Sequence, residues 1–398
     1  MDGSRQASLN FPAPQPAEDD PFDRLRLLRS RRVGIATYRR LLAEYGTARA
    51  ALDALPEIAK AAGDNSYRPC PLGVVAAELK AGRTSGARMI WESDPDYPRE
   101  LTDLEDAPPM LWMIGDADHL NRPMIALIGA RNASSLGTRM ARLLAAELGE
   151  AGYTVVSGLA RGIDAAAHDE ALPSGTVAVV GGGVDVVYPR ENAALRDRIA
   201  KDGVILSEQP VGLQPMARHF PRRNRLISGL ARAVVVVEAA ARSGSLMTAR
   251  IALDQGREVM AVPGHPLDGR ASGTNQLIRD GAVLVRGAQD VLSALPPVEG
   301  AASPPAPSPA ITDIPHSPET PLARRFALNR RKLAEPGPGT GDRLRRKLLE
   351  RLSSAPISED ALLADLGLSP SEAAPLLTEL ELSGDVVRHP GGALSRVT

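Results

Sequence analysis

The chain predicts an α/β protein centred on a doubly wound, mostly parallel sheet, with a small helical domain before it and three helices plus a hairpin after it. Three observations carry this. Seven short runs rich in β-branched residues recur at Ile125–Ile128, Tyr153–Ser157, Thr176–Val180, Val204–Leu206, Ala233–Val237, Glu258–Val262 and Ala282–Val285. Helix-compatible segments at 137–149, 163–172, 191–201 and 246–255 separate most of them. Continuous apolar strands alternating with helices are the pattern of parallel strands covered on both faces. The apolar period then changes from strand-like to helical on either side of this block.

Taken in order, residues 1–21 are polar and proline-rich, a composition that predicts disorder. From Asp23 to about Ala62 the spacing of Leu25, Leu28, Leu41, Leu42, Ala51, Leu52 and Leu55 is helical. The stretch Val33-Gly34-Ile35-Ala36 resembles part of a helix-hairpin-helix, which offers backbone N–H groups to a phosphate. The plainer alternative is a small helical packing module. We assign 22–82 to this helical domain. Two short extended runs, 88–92 and 110–114, precede the seven strands, and the Rossmann-like domain is expected over 83–297. Residues 298–341 read as a Pro/Ala-rich linker. Over 342–398 a Leu344, Leu348, Leu349, Leu352 stripe, two Ser-capped helices and a strand–turn–strand predict a winged helix. Its third helix carries Glu372, Glu379 and Glu381 and no Arg or Lys, the wrong sign for phosphate contact. That favours a protein-interaction or stabilising role.

Composition narrows the function. The formal net charge is −1, so any nucleic-acid affinity must come from a local patch. Of 47 basic residues only 5 are Lys, which makes an Arg cluster less telling here than usual. The single Cys70 excludes a disulfide framework, and the six His are scattered without ligand spacing, so no metal site is expected. No apolar run approaches the roughly 18 residues of a membrane helix, and the start lacks a signal-peptide core. We expect a cytoplasmic protein with no membrane contact.

The chemistry lies in loops that follow the strands, where ligands of such sheets bind. Gly129-Ala130-Arg131 leads into Ser134-Ser135, which can cap a helix whose first N–H groups favour an anion. Ser157-Gly158-Leu159-Ala160-Arg161-Gly162 repeats the scheme, with Asp164 and His168 four residues apart. These two form either an acid–base pair or, with no nucleophile in view, a capping Asp and a hydrogen-bonded His. Ser243-Gly244-Ser245 with Thr248 is a third small-residue entry into a helix. The dinucleotide and Walker fingerprints are absent, so no cofactor is expected. The most informative stretch is 217–230. It sets Arg218, Arg222, Arg223 and Arg225 around Phe220 without one acid. Guanidinium forks grip phosphates and an aromatic ring stacks on a base, the parts of a single-stranded nucleic-acid site. The bland alternative is an Arg-rich surface turn.

In order, Ile128-Gly129-Ala130-Arg131, Ser157–Asp164 with His168, Tyr188-Pro189, Ser207-Glu208, Phe220–Arg225, Ser243–Ser245 with Thr248, Pro263-Gly264 and Gly273-Thr274-Asn275 resemble the DNA-processing protein A family (DprA, also called Smf). The resemblance implies a bacterial cytosolic protein that binds and protects incoming single-stranded DNA in natural transformation and helps load the RecA recombinase. It implies a homodimer without catalytic turnover, and DNA contacts through Arg131, Phe220, Arg222, Asn224 and Arg225. With the small-residue loops, the candidate DNA-binding set is Gly129, Arg131, Ser157, Arg161, Phe220, Arg222, Asn224, Arg225, Ser245 and Thr248. Ala130 stands where the family often has Ser. The competing class is a phosphoribohydrolase-like nucleotide enzyme. Its Pro-Gly-Gly-x-Gly-Thr and following Glu are replaced here by Arg242-Ser243-Gly244-Ser245-Leu246-Met247-Thr248.

Overall fold

A computed structural model describes residues 19–296, 340–353, 355–389 and 393–397. The expected disordered start and linker lie outside these residues except at their inner ends. There, Asp20 accepts from Phe22 N and caps the first helix, with Pro21 opening it, and Thr340 already begins a helix. The described residues form two compact units.

The first unit holds the residues up to Ile114 with Gly182–Val186 and Ser207–Pro215. It contains α1 (Pro21–Arg29), α2 (Ile35–Tyr45), α3 (Ala48–Ala61), α4 (Leu72–Thr84), β1 (Arg88–Trp91), α5 (Arg99–Thr102) and β2 (Met110–Gly115). β1 and β2 pair antiparallel, Met89 opposite Trp112. The helix α4 has no counterpart among the sequence expectations. It is held by Glu78, which is buried, takes a forked bond from Arg29 and accepts from Trp112 Nε1 at 2.8 Å. A Cβ on Gly82 would fall 2.5 Å from the Trp112 ring, so glycine is needed where ring and helix meet.

The second unit runs β3 (Met124–Gly129), α6 (Ser135–Glu150), β4 (Thr154–Ser157), α7 (Ile163–Ala171), β5 (Thr176–Val179), α8 (Ala193–Asp202), β6 (Val204–Ser207), α9 (His219–Leu230), β7 (Ala233–Glu238), α10 (Gly244–Asp254), β8 (Glu258–Ala261), α11 (Ser272–Arg279), β9 (Val283–Leu284) and α12 (Ala288–Ala294). The seven strands are parallel in the order β6-β5-β4-β3-β7-β8-β9. All seven predicted runs are strands. The chain winds outward from β3 to β6, then returns to β7 beside β3. The switch point is therefore between β3 and β7, where a crevice opens beyond the strand ends. Ile125, Leu127, Val155, Val235 and Met260 pack against Leu144, Leu148, Ala167 and Val291 in a fully buried core.

The winged helix follows: α13 (Thr340–Arg351), β10 (Ile357–Ser358), α14 (Glu359–Leu366), α15 (Pro370–Leu382), β11 (Val386–Arg388) and β12 (Ala393–Arg396). Ser358 and Ser369 cap α14 and α15, Ser369 within a full capping box with Glu372. Leu348, Leu352, Leu362, Leu377 and Leu394 form its core.

Candidate nucleic-acid interface

The crevice at the switch point is a cleft of about 730 Å³. The loop after β3 supplies Gly129, Ala130, Arg131 and Asn132, and the loop after β7 supplies Ala240, Arg242 and Ser243. α9 contributes Phe220, Arg223 and Asn224, and α10 contributes Ser245, Met247 and Thr248. Arg270 closes one side. Four guanidinium groups thus face one carboxylate, Asp164. Arg131 and Arg242 make no ion pair among the described residues. A chain with net charge −1 has concentrated positive charge in one concave place, which focuses the field for a polyanion.

Phe220 sits in a nest of cations and rings. The Arg131 guanidinium carbon lies 5.4 Å from its ring centroid and that of Arg223 lies 6.0 Å away. Arg223 is 6% exposed. Its Nη1 donates to Val179 O at 2.9 Å, while its Nε has no partner among the described residues. Burial lowers its pKa to about 10, against the pull of Asp164, so it stays charged at neutral pH. Gly158 makes room for it: a Cβ there would overlap Arg223 Nη1.

The loop from Ser157 to Gly162 is built around two buried side chains. Asp164 accepts from Gly158 N at 3.1 Å and Ala160 N at 3.3 Å. Burial pushes its carboxyl up, opposed by Arg223 and those amides. Thr176 gives its hydroxyl proton to Val155 O, so Thr176 Oγ1 accepts from His168 Nδ1 at 2.7 Å. That fixes the proton on Nδ1 and leaves Nε2 to accept from Leu159 N at 3.3 Å. Leu159 has φ +54, a conformation that this bond helps hold. Burial, with the Arg223 charge, pulls the His168 pKa down to about 3. Asp164 and His168 are therefore loop-shaping residues, and the plainer of the two sequence readings applies.

The start of α6 is not free for a ligand. Ser134 caps it, and the buried Glu238 accepts from Ser134 N and Ser134 Oγ. Burial raises the Glu238 carboxyl, with Ser134 pulling the other way. Asp365 of α14, its side chain 4% exposed, accepts from Ser135 Oγ at 2.9 Å and lies 3.6 Å from both Arg142 and Arg351. The anions at this helix start are the protein's own. By contrast, α10 opens onto the cleft with its cap Ser243 and Ser245 both lining it.

Residues 88–296 match the profile of the DNA recombination-mediator protein A family. Residues 18–81 match a DprA-like N-terminal HHH domain, and 332–392 a DprA winged helix domain. The chain belongs to the DNA-processing protein A family. It is 34% identical to protein Smf of Synechocystis over 79% of this chain and 81% of that one. It is 46% identical to the DNA processing protein DprA of Streptococcus pneumoniae over 50% of this chain and 71% of that one. The crystal structure of the Streptococcus pneumoniae protein superposes with a TM-score of 0.52 at 42% identity, covering 56% of this chain and 77% of that one.

In this family member, six of the ten residues expected at DNA lie on the cleft: Gly129, Arg131, Phe220, Asn224, Ser245 and Thr248. Four do not. Ser157 is fully buried and spends its hydroxyl on Leu127 O, tying β4 to β3. Arg161 points outward beside Glu191 at 3.6 Å. The basic stretch expected as a loop is the helix α9, whose apolar face is Leu226, Ile227 and Leu230. At about 100° per residue, Arg222 lies on the side opposite Phe220 and Arg225 about 140° round; neither lines the cleft. Arg223, Arg242 and Arg270 line the cleft but were not in the candidate set. The first was legible as one turn beyond Phe220, while the others depend on loop paths.

The winged helix pairs several of its charges internally. Arg345 pairs with Glu379 and Asp385, and Arg388 with Glu359 and Glu381. Arg351 Nη1 donates to Ala133 O and Thr138 Oγ1, both at 3.1 Å, bracing the β3–α6 turn. Among the described residues no helix is long and apolar enough to cross a membrane, and no His/Cys/Asp/Glu group could hold a metal ion.

Proposed function

We propose that the chain binds single-stranded DNA in the β3–β7 cleft and hands it to RecA during natural transformation, without chemically altering it. The observation that carries this is the cleft's lining: four guanidiniums, one carboxylate and a part-exposed Phe220 at the sheet's switch point. Cations answer phosphates, and a ring answers an unpaired base, which a duplex hides. Membership of a recombination-mediator family supports the handover to RecA, a homodimeric state and a cytoplasmic site of action. In this reading 83–297 is the DNA-binding body, 22–82 the helix-hairpin-helix domain and 342–398 a stabilising or partner-binding winged helix.

A nucleotide enzyme is less well supported. Asp164 is committed to loop amides, and Glu238 is committed to Ser134 and does not line the cleft. Neither carboxylate is placed for acid–base work. The test is a titration of labelled oligo-dT and a duplex of equal length at one salt concentration. Oligo-dT should bind at least tenfold more tightly. Equal or tighter duplex binding would overturn the reading.

A further inference from the structure

Resting on the single-stranded reading of the cleft, we propose that Tyr188 is a second base-stacking platform, beside Phe220, that takes the next base along the strand. The chain is poor in aromatics, at 3% of residues. Among the described residues the others are buried or partly covered, as Tyr38, Tyr67, Tyr97, Tyr153, Trp91 and Trp112 are. Tyr188 is the one exposed aromatic among them, at 47%. It lies beside the positive cleft, next to Phe220.

Its position relative to Phe220 decides what it can do. The two centroids are 5.7 Å apart with the planes inclined at 39°. Bases in a stacked strand repeat every ~3.4 Å. A base inserted between the two rings would need about twice that spacing, so none fits between them. The pair instead sets an exposed Tyr188 ring at an angle to Phe220, which suits successive bases splayed from one backbone. Arg131, near Phe220, is on hand for the intervening phosphate. Tyr188 comes from the loop after β5 and Phe220 from α9, so two separate elements bring the rings together.

The test compares wild type, Tyr188→Ala, Tyr188→Phe, Phe220→Ala, Arg131→Ala and the Tyr188→Ala/Phe220→Ala double variant on oligo-dT across a salt series. Tyr188→Ala should weaken binding about tenfold with an unchanged salt slope, and Tyr188→Phe should stay within about twofold, since the face and not the hydroxyl acts. The double variant should lose the product of the two single losses. An oligonucleotide carrying 5-iododeoxyuridine should photocross-link to the peptide containing Tyr188 in wild type. Wild-type affinity for Tyr188→Ala, or no further loss when it is added to Phe220→Ala, overturns the proposal, because the ring would then only buttress Phe220. If Phe220→Ala and Arg131→Ala are themselves silent, the cleft reading falls and this proposal with it. If those two weaken binding and Tyr188→Ala does not, only the second platform is wrong.

Discussion

Gly162→Ala should cost about 3 kcal/mol of stability and lower single-strand affinity at least tenfold. Gly162 has φ +77 and ψ −122, a backbone conformation that glycine adopts and L side chains avoid. The added Cβ would fall 2.2 Å from Ala130 O and 2.8 Å from Arg131 O. Those are backbone atoms and cannot rotate aside. Ala130 O also accepts from Ile163 N at 3.2 Å, the bond that ties the loop after β4 to the loop after β3. A methyl group there pushes the two loops apart and takes Arg131 with them. Gly256→Ala is the control: its φ is +70, but nothing lies within 4 Å of its Cβ. It should show the cost of a side chain at positive φ without a clash, and bind DNA normally. Urea melts and oligo-dT titrations of both variants check this. Equal behaviour of the two would show that the loop–loop contact is unimportant.

Acid should unfold the protein partly through His168. The folded His168 binds no proton until about pH 3, whereas the unfolded side chain binds one below about 6.5. Between those values the unfolded state holds more protons, so stability falls as pH falls, by about 1.4 kcal/mol per unit. The physical event is protonation of Nε2, which turns the acceptor for Leu159 N into a second donor. Asp164 and Glu238 act with the opposite sign. Their raised carboxyls hold protons in the folded state first, which favours it as pH drops. Comparing wild type with His168→Gln removes those shared contributions. The variant should be weaker at pH 7, and the difference between the two should shrink by about 1.4 kcal/mol per unit from pH 6 to pH 4.5. A difference that stays flat over that range would mean His168 is charged in the folded protein.

The sheet was legible because buried parallel strands leave continuous β-branched runs, and four valines in a row from Val234 to Val237 admit few other readings. Helix α9 was hidden by its own chemistry. Pro221 and four arginines read as a turn, although Pro is tolerated in a first helical turn and Leu226, Ile227 and Leu230 mark an apolar face. Burying Arg223 on that face contradicts composition, and Val179 O, Asp164 and the Phe220 ring make it tolerable. Helix α4 buries little beyond Val75, Glu78 and Gly82, which is no apolar stripe at all. The site was legible as loops but not as directions. Ser157 differs from the serines of the cleft only in facing inward. The capture of the α6 start by Glu238 joins residues 104 positions apart, a contact no local pattern contains.

The most direct test of the cleft is affinity against salt for wild type, Arg131→Ala and Phe220→Ala, on oligo-dT and on a duplex of equal length. Each phosphate contact contributes about −0.7 to the log–log slope on a single strand. Arg131→Ala should flatten the slope by about that amount. Phe220→Ala should leave the slope nearly unchanged, cost about 1–3 kcal/mol on oligo-dT and matter little on the duplex. A Phe220→Ala protein that binds oligo-dT like wild type, or that shifts the slope as an arginine does, would contradict a stacking site and leave the cleft as no more than a charged surface.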